Sequence, residues 1–336
     1  MFFSLNSNKM FFLFILFIST LISISSNSWF GCWIGLEINL LSFIPLISNS
    51  KNLMSNEASL KYFLTQSIAS INFLFVILLK LTIFNFFSNS IMSLMMNIPL
   101  LMKMGSVPFH FWFPNIVEGM SWINNLILMT WQKISPMILL SYYFNKNFLI
   151  LILILNSIIG AFGGLNQTSL RKILSFSSIN NLSWMISSML ISENLWLFYF
   201  LFYSLLISIM CFLFNNFNMY FINQLYILNL NSKLKITFLI NFLSLGGLPP
   251  FIGFFSKWII INFLMINNLM MISFILIMMS LIMLFFYIRI SYSSFMFNYM
   301  KLKWFKIYFK NNNNNFLMLT TLVSITGMIF SSLFFL

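Results

Sequence analysis

Residues 243–258 read LSLGGLPPFIGFFSKW, an apolar run that holds Pro249 and Pro250 side by side, three glycines and Lys257. Proline lacks a backbone donor and its ring crowds the preceding turn, so no straight α-helix passes through this stretch. Its flanks are nevertheless apolar over a length that crosses a bilayer. A helix interrupted in hydrocarbon frees backbone carbonyls, and these need protein or a water-lined cavity as partner. A second stretch, LLMKMGSVPFHFWFP at 100–114, has the same parts: Lys103 precedes a small-residue break at Pro108.

Composition sets the solvent around these breaks. The chain has 336 residues, 60% hydrophobic and 6% charged, with a mean hydropathy of +0.96. No arrangement of such a chain gives a water-soluble globule with a polar skin. The reading is one all-α polytopic membrane domain over 1–336, with spans at about 10–25, 28–48, 57–85, 89–118, 121–144, 147–165, 170–190, 194–219, 233–265, 268–297 and 316–336. The two breaks fall in the fourth and ninth spans, five crossings apart, so they run through the bilayer in opposite directions. Two inverted five-helix repeats follow, 10–144 and 147–297, with 316–336 as an added helix.

An odd count of about eleven spans puts the termini on opposite sides, which the positive-inside rule checks. Lys9, Lys51, Arg171, Lys172, Lys233, Lys235, Lys301, Lys303, Lys306 and Lys310 fall beside loops on the N-terminal side, and Lys146 falls on the other. The NNNNN tract at 311–315 reads as a loop outside the bilayer. The formal charge of +13 is scattered between apolar runs, so it argues membrane topology and no nucleic-acid partner. Cys32 and Cys211 are isolated thiols in apolar surroundings, which argues for free buried cysteines and against a disulfide framework or metal cluster. His110 is the single histidine, too few for a bis-histidine haem.

The first apolar run, from Met10, lacks a small-residue cleavage site and reads as a span rather than a leader. Phe, Ile, Asn, Met and Lys are heavily used while Asp is absent, a pattern expected of an AT-biased organelle genome. A nuclear gene with an import presequence would contradict that origin.

Charges inside spans narrow the function. Glu37, Lys103, Lys133 and Lys257 each cost about 2.5–3.5 kcal/mol at a helix centre unless paired or hydrated. Two readings account for them. In one, Glu37 and Lys103 pin helices together and the other lysines reach an interface. In the other, the four form a proton relay, since desolvated lysine changes protonation state readily and a movable carboxylate switches it. Lys80 and Arg289 lie toward span ends, where long side chains snorkel, and Glu57 and Lys61 are spaced for a local pair. His110, two residues past Pro108, suits either proton access or a structural bond to backbone. Glu118 and Glu193 are expected at solvated loop ends.

Six stretches together resemble a known family: WIGLEINLLSFIPL (33–46), EASLKYFLTQ (57–66), SVPFHFWFP (106–114), MTWQKISP (129–136), GGLNQTSLRKILSFSSINNLSWM (163–185) and NFLSLGGLPPFIGFFSKW (241–258). They are similar, in order and spacing, to the subunit 2 family of mitochondrial NADH dehydrogenase, respiratory complex I, in its arthropod-like form. That family belongs to the antiporter-like proton-pumping subunits of the membrane arm. The resemblance implies that Glu37 and Lys103 are the input pair, Lys133 the central relay residue and Lys257 the output-side group. It matches Gln167 to Lys172, with Arg171 and Lys172, to a signature at a helix boundary, for which a charged structural loop is an equal reading. Asn181 stands where the family usually has histidine or glycine, and Val107 where it has a smaller residue. The implied partners are other membrane-arm subunits and phospholipids. The implied cofactors, NADH, FMN, iron–sulfur clusters and ubiquinone, sit in other subunits, because this chain has neither a Gly-rich dinucleotide loop nor clustered cysteines. A stand-alone cation/proton antiporter and a purely structural subunit are the rival classes.

Overall fold

The computed structural model describes residues 7–49, 51–82, 89–227, 232–296, 321 and 324–326. It divides into two compact units, Met1–Ile152 and Leu153–Leu336. Among the described residues every named element is helical, and seven helical stretches are long and apolar enough to cross a membrane. The span expected at 316–336, the lysines at 301–310 and the asparagine tract lie almost wholly outside the described residues.

In the first unit, α1 (Ser7–Ser25) and α2 (Trp29–Ile47) show what kind of solvent surrounds the protein. The buried face of α1 carries Ser19, Thr20 and Ser23, while Phe11 and Leu21 are 61% and 62% exposed. Each of these hydroxyls donates to the carbonyl three residues back, so burying them leaves no polar group unpaired. Small residues inside and large apolar ones outside is the packing of helices in lipid, where close backbone approach replaces the hydrophobic effect. Gly35 accordingly sits against the backbone of Ser23.

Beyond α2, α3 (Leu53–Thr82) is a single long rod. The Glu57–Lys61 pair near its start closes at 2.5 Å as expected. Near its end Lys80 donates to the Tyr143 hydroxyl and lies over the rings of Tyr143 and Trp29. That aromatic surround suits a cation reaching the membrane interface.

The fourth expected span is broken as anticipated. α4 (Asn89–Met104) stops, a single 3₁₀ turn covers Phe109–Phe111, and α5 (Trp112–Gly119) resumes. The fifth expected span is also interrupted, which the sequence reading did not anticipate: α6 (Trp122–Met129) gives way at Thr130 to α7 (Trp131–Tyr142). The Thr130 backbone stays in the right-handed region but is distorted, at φ −114° and ψ −73°, and both its N–H and its hydroxyl donate to Leu126 O.

The second unit is built around α9 (Leu170–Ile191), buried on nearly every side. Its faces are rich in serine, which lowers its hydropathy but lets neighbours approach. Gly160 of α8 (Lys146–Gly164) meets the backbone of Asn180 so closely that a Cβ would lie 2.7 Å from its nitrogen. Around α9 stand α10 (Glu193–Phe217), the short α11 (Ile222–Ile227), α12 (Ser232–Gly246), α13 (Ile252–Ile266) and α14 (Met270–Met296). The ninth expected span thus separates into α12 and α13 at the Pro249–Pro250 break. Cys32 and Cys211 are both free and buried.

Candidate functional site

Both breaks are built the same way. In α4, Gly105 takes φ +70°, Gly105 N–H donates to Met102 O, and Ser106 N–H reaches back to Leu101 O. In α12, Gly247 takes φ +84°, and Gly247 and Leu248 both donate to Leu243 O. A left-handed glycine followed by a six-to-one bond is the Schellman termination, which only glycine adopts without a Cβ penalty. An X-Pro bond follows each, cis at Val107–Pro108 and at Pro249–Pro250.

The carbonyls at the first break also accept from side-chain donors. Trp112 Nε1 donates to Met102 O at 3.1 Å, Gln66 Nε2 to Lys103 O at 3.2 Å, and Ser106 Oγ to Leu101 O at 3.0 Å. These bonds satisfy the backbone at membrane depth and bring α3 and α5 around the end of α4.

Beside this break lies a cavity of about 20 Å³, room for about one water molecule. Its polar wall comes from Lys103, Lys133, Gln66, Gln132, Asn39, Tyr62 and Ser135. Lys103 is 8% exposed and Lys133 only 1%. Lys133 Nζ lies 5.4 Å from the centre of the ring of Phe113, the second residue of α5. The Thr130 interruption places Lys133 at the start of α7, and Pro136 removes the donor that would otherwise serve Gln132 O. Gln132 Nε2 donates to Asn39 Oδ1 at 2.8 Å, tying α7 to α2 across the cavity wall.

Two of the expected relay residues therefore line one cavity. Glu37 is half-buried on α2 and is an electrostatic neighbour of Lys103. Its neighbours Leu36, Asn39 and Leu40 line the cavity, whereas Glu37 itself does not. His110 is buried on the 3₁₀ turn, packs on Phe111 at 4.2 Å and keeps a backbone hydrogen bond with Pro108.

In the second unit Lys257 is 8% exposed on α13. Its Nζ donates to Gly246 O at 2.9 Å and lies 5.9 Å from the centre of the Trp184 ring. Lysine thus fills the gap left by the second break, holding a carbonyl that the ended helix no longer uses. Arg289 lies on the exposed side of α14 and donates to Leu165 O.

The Gln167–Lys172 segment has a visible structural job. Leu170 N–H donates to Tyr220 O at 2.9 Å and Ile222 N–H to Thr168 O at 3.1 Å, while the Arg171 guanidinium lies 4.0 Å from the Tyr220 ring centre. Arg171 thus belongs to a clasp between the chain entering α9 and the loop after α10, and Lys172 follows it in the first turn of α9.

Gln66, Gln132, Asn39 and Trp112 were not singled out from the sequence. The signal was present, since Gln66 and Gln132 are amides within otherwise apolar runs and Gln132 adjoins Lys133. Replacing Gln132 by leucine leaves Asn39 Oδ1 buried without its donor. A loss of about 1–3 kcal/mol is expected, readable as a lower melting temperature of the purified assembly.

A family model described as NADH:quinone oxidoreductase/Mrp antiporter, TM, matches residues 26–284, well over half the chain. The chain is 50% identical to NADH-ubiquinone oxidoreductase chain 2 of Aedes aegypti over 336 residues, covering 98% of each. It is 48% identical to the protein of the same name from Anopheles gambiae over 335 residues, again covering 98% of each. A chain in the structure of respiratory complex I from Thermus thermophilus with bound aureothin shares the fold, with a TM-score of 0.82 at 18% identity, covering 96% of this chain and 78% of that one. On these matches the chain belongs to the NADH-ubiquinone oxidoreductase chain 2 family, within the NADH:quinone oxidoreductase/Mrp antiporter membrane proteins.

Proposed function

We propose that this chain is a core membrane-arm subunit of an NADH:ubiquinone oxidoreductase and moves protons across the inner mitochondrial membrane. Its relay comprises Glu37 and Lys103 as input, Lys133 as centre and Lys257 as output. The observation that carries this reading is the pair Lys103 and Lys133, two buried lysines on the wall of one water-sized cavity beside a helix break. A lysine pair used only for packing would need neither a shared polar space nor amide-lined walls.

Quinone reduction elsewhere in the complex resets the interaction between Glu37 and Lys103. A proton then shifts between Lys103 and Lys133 through the cavity, and the change in charge is passed on to Lys257. The redox chemistry and its cofactors, NADH, FMN, iron–sulfur clusters and ubiquinone, belong to other subunits, and this chain contributes the proton path. Its partners are the other membrane-arm subunits, antiporter-like neighbours among them, and phospholipids.

The same reading places the N-terminus in the matrix and the C-terminus in the intermembrane space, with eleven spans arranged as two inverted five-helix repeats and a final helix. The matching Schellman terminations at Gly105 and Gly247 support the repeat, and the one-sided distribution of lysine and arginine supports the orientation.

Lys103→Met and Lys133→Met, made singly and together in the assembled complex, test the relay. Protons moved per quinone reduced are measured in proteoliposomes. Residues acting in one path give a double variant no worse than the worse single one. Effects that multiply, or single variants that pump normally, would refute a shared path.

A further inference from the structure

At one end of the first unit the turn between α7 and α8 is tied to two neighbours. Lys80, near the end of α3, donates to the Tyr143 hydroxyl, and Asn145 Nδ2 donates to Ser93 Oγ at 3.2 Å and to Ser90 O at 3.4 Å, near the start of α4. Beside these ties lies an open groove of about 660 Å³, lined by Tyr142, Tyr143, Lys146 and Asn147 with Ser90 and Ser93. That is the size of a small-ligand site.

Charge at this end of the unit is one-sided. Among the described residues of the unit the carboxylates are Glu37, Glu57 and Glu118. Glu37 sits midway along α2, and Glu57 lies near the start of α3. A Cβ on Gly119, the residue after Glu118, would lie 2.5 Å from Met54 O, so Glu118 belongs to the same end as Glu57. From Met54 to Lys80 is about 39 Å along α3. No described carboxylate of the unit therefore stands at the groove to neutralise Lys80 and Lys146. Lys146 is also the loop cation that stands apart from the one-sided lysines and arginines of the sequence.

The depth of the groove follows from its aromatics. Trp29 meets Tyr143 at 5.0 Å and Tyr142 at 6.2 Å between ring centres, and Lys80 lies over both Trp29 and Tyr143. Such a cluster marks the level of lipid headgroups. Toward the helix interiors the polar lining gives way to apolar surface. Ile91, next to Ser90 on α4, is 42% exposed, and Leu151, one turn beyond Asn147 on the same face of α8, is 54% exposed. Cations at one level with bare apolar side chains below them suit an anion that carries hydrocarbon. A free phosphate would leave the apolar part unused, and an acidic peptide would have to bury its own backbone polar groups there.

We propose that this groove binds an anionic phospholipid by its phosphate. Lys146 supplies charge on the wall itself, and Lys80 supplies it from behind Tyr143, which takes one of its three ammonium protons. The Asn147 amide donates to the headgroup, and the acyl chains lie on Ile91 and Leu151. The site is separate from the relay and does not depend on it.

The test uses the assembled complex in phosphatidylcholine nanodiscs, doped with a phosphatidylglycerol or a phosphatidylcholine probe carrying the same photoreactive acyl chain. Mass spectrometry measures crosslinks to peptides covering 142–151. Phosphatidylglycerol is expected to label them while the phosphatidylcholine probe stays at background. Lys146→Gln and Lys80→Gln should each lower the labelling about fivefold, and together about twenty-five-fold. Equal labelling by the two probes reduces the groove to ordinary boundary lipid and overturns the proposal, as does phosphatidylglycerol labelling that survives both substitutions. Loss of labelling in excess inorganic phosphate assigns the groove to a free phosphate. Labelling by neither probe assigns it to a protein partner, and either outcome overturns the lipid. Should Lys80→Gln fail to assemble, the exposed Lys146 decides alone: unchanged labelling in Lys146→Gln overturns the site.

Discussion

Replacing Lys133 by arginine is expected to stop proton pumping as completely as replacing it by methionine. Arginine keeps the positive charge, so a lysine that served only to pin helices electrostatically would be well substituted. A relay residue must release its proton, and a guanidinium does not do so under any condition a protein meets. Space argues the same way. Lys133 is 1% exposed and its cavity measures about 20 Å³, too little for a planar fork that needs several acceptors arranged around it. The loss should be about a hundredfold or more, the contribution of a positioned proton-transfer group. The measurement is proton uptake by proteoliposomes during NADH-driven quinone reduction, after native electrophoresis has confirmed assembly. Pumping retained in Lys133→Arg but lost in Lys133→Met would assign Lys133 to charge pinning and remove it from the path.

Much of this arrangement is legible in the sequence because membranes punish exceptions. Glycine, proline and lysine stand out inside apolar runs, and each marks a backbone or charge problem that the fold must solve. The breaks at Pro108 and at Pro249–Pro250 were read this way, and helices α4 and α12 end at both. The interruption at Thr130 was not read, although Pro136 stands six residues on. A proline inside a helix is compatible with continuation, as Pro45 within α2 shows, so proline alone does not locate a break without the glycine that ends the turn before it.

The sequence also underrates groups that matter through their partners. Gln66 and Gln132 look like ordinary polar residues until the first caps Lys103 O and the second holds Asn39. The serines and tyrosines of the second unit are further still from legibility. Tyr199 and Asn181 stand on different helices, and only packing of α10 on α9 brings the Tyr199 hydroxyl to Asn181 Oδ1, at 3.0 Å. Charged residues announce their cost singly, whereas hydroxyls find their partners only through packing. The input pair implied by the resemblance is a further case: Glu37 and Lys103 are electrostatic neighbours, and Lys103 lines the cavity it shares with Lys133, a sharing that packing alone reveals.

The second large effect concerns the other break. Gly253→Ala should disrupt the subunit, while Gly246→Ala, seven residues earlier, should be tolerated. A Cβ built on Gly253 would lie 1.8 Å from the carbonyl oxygen of Ser244 and 3.4 Å from Leu206. The obstacle is backbone, which cannot swing aside as a side chain would. At Gly246 the nearest atom to a new Cβ is 3.5 Å away, an ordinary contact. Gly253 is therefore where α13 lies directly on the last turn of α12, its α-hydrogen against the Ser244 carbonyl, the small-residue approach that membrane helices use in place of a hydrophobic drive. Alanine there must push the two helices apart. The cost is at or above the upper end of the about 1–3 kcal/mol typical of overpacking. Lys257 lies one turn after Gly253 on the same face, so the displacement also draws its Nζ from Gly246 O, now 2.9 Å away. Even protein that assembles should lose quinone-coupled pumping out of proportion to its abundance. Subunit level on native gels and pumping per assembled complex separate the two effects. Wild-type values of both in Gly253→Ala would mean that α13 is free to move against α12, and Lys257 would then no longer be fixed at the break by its carbonyl.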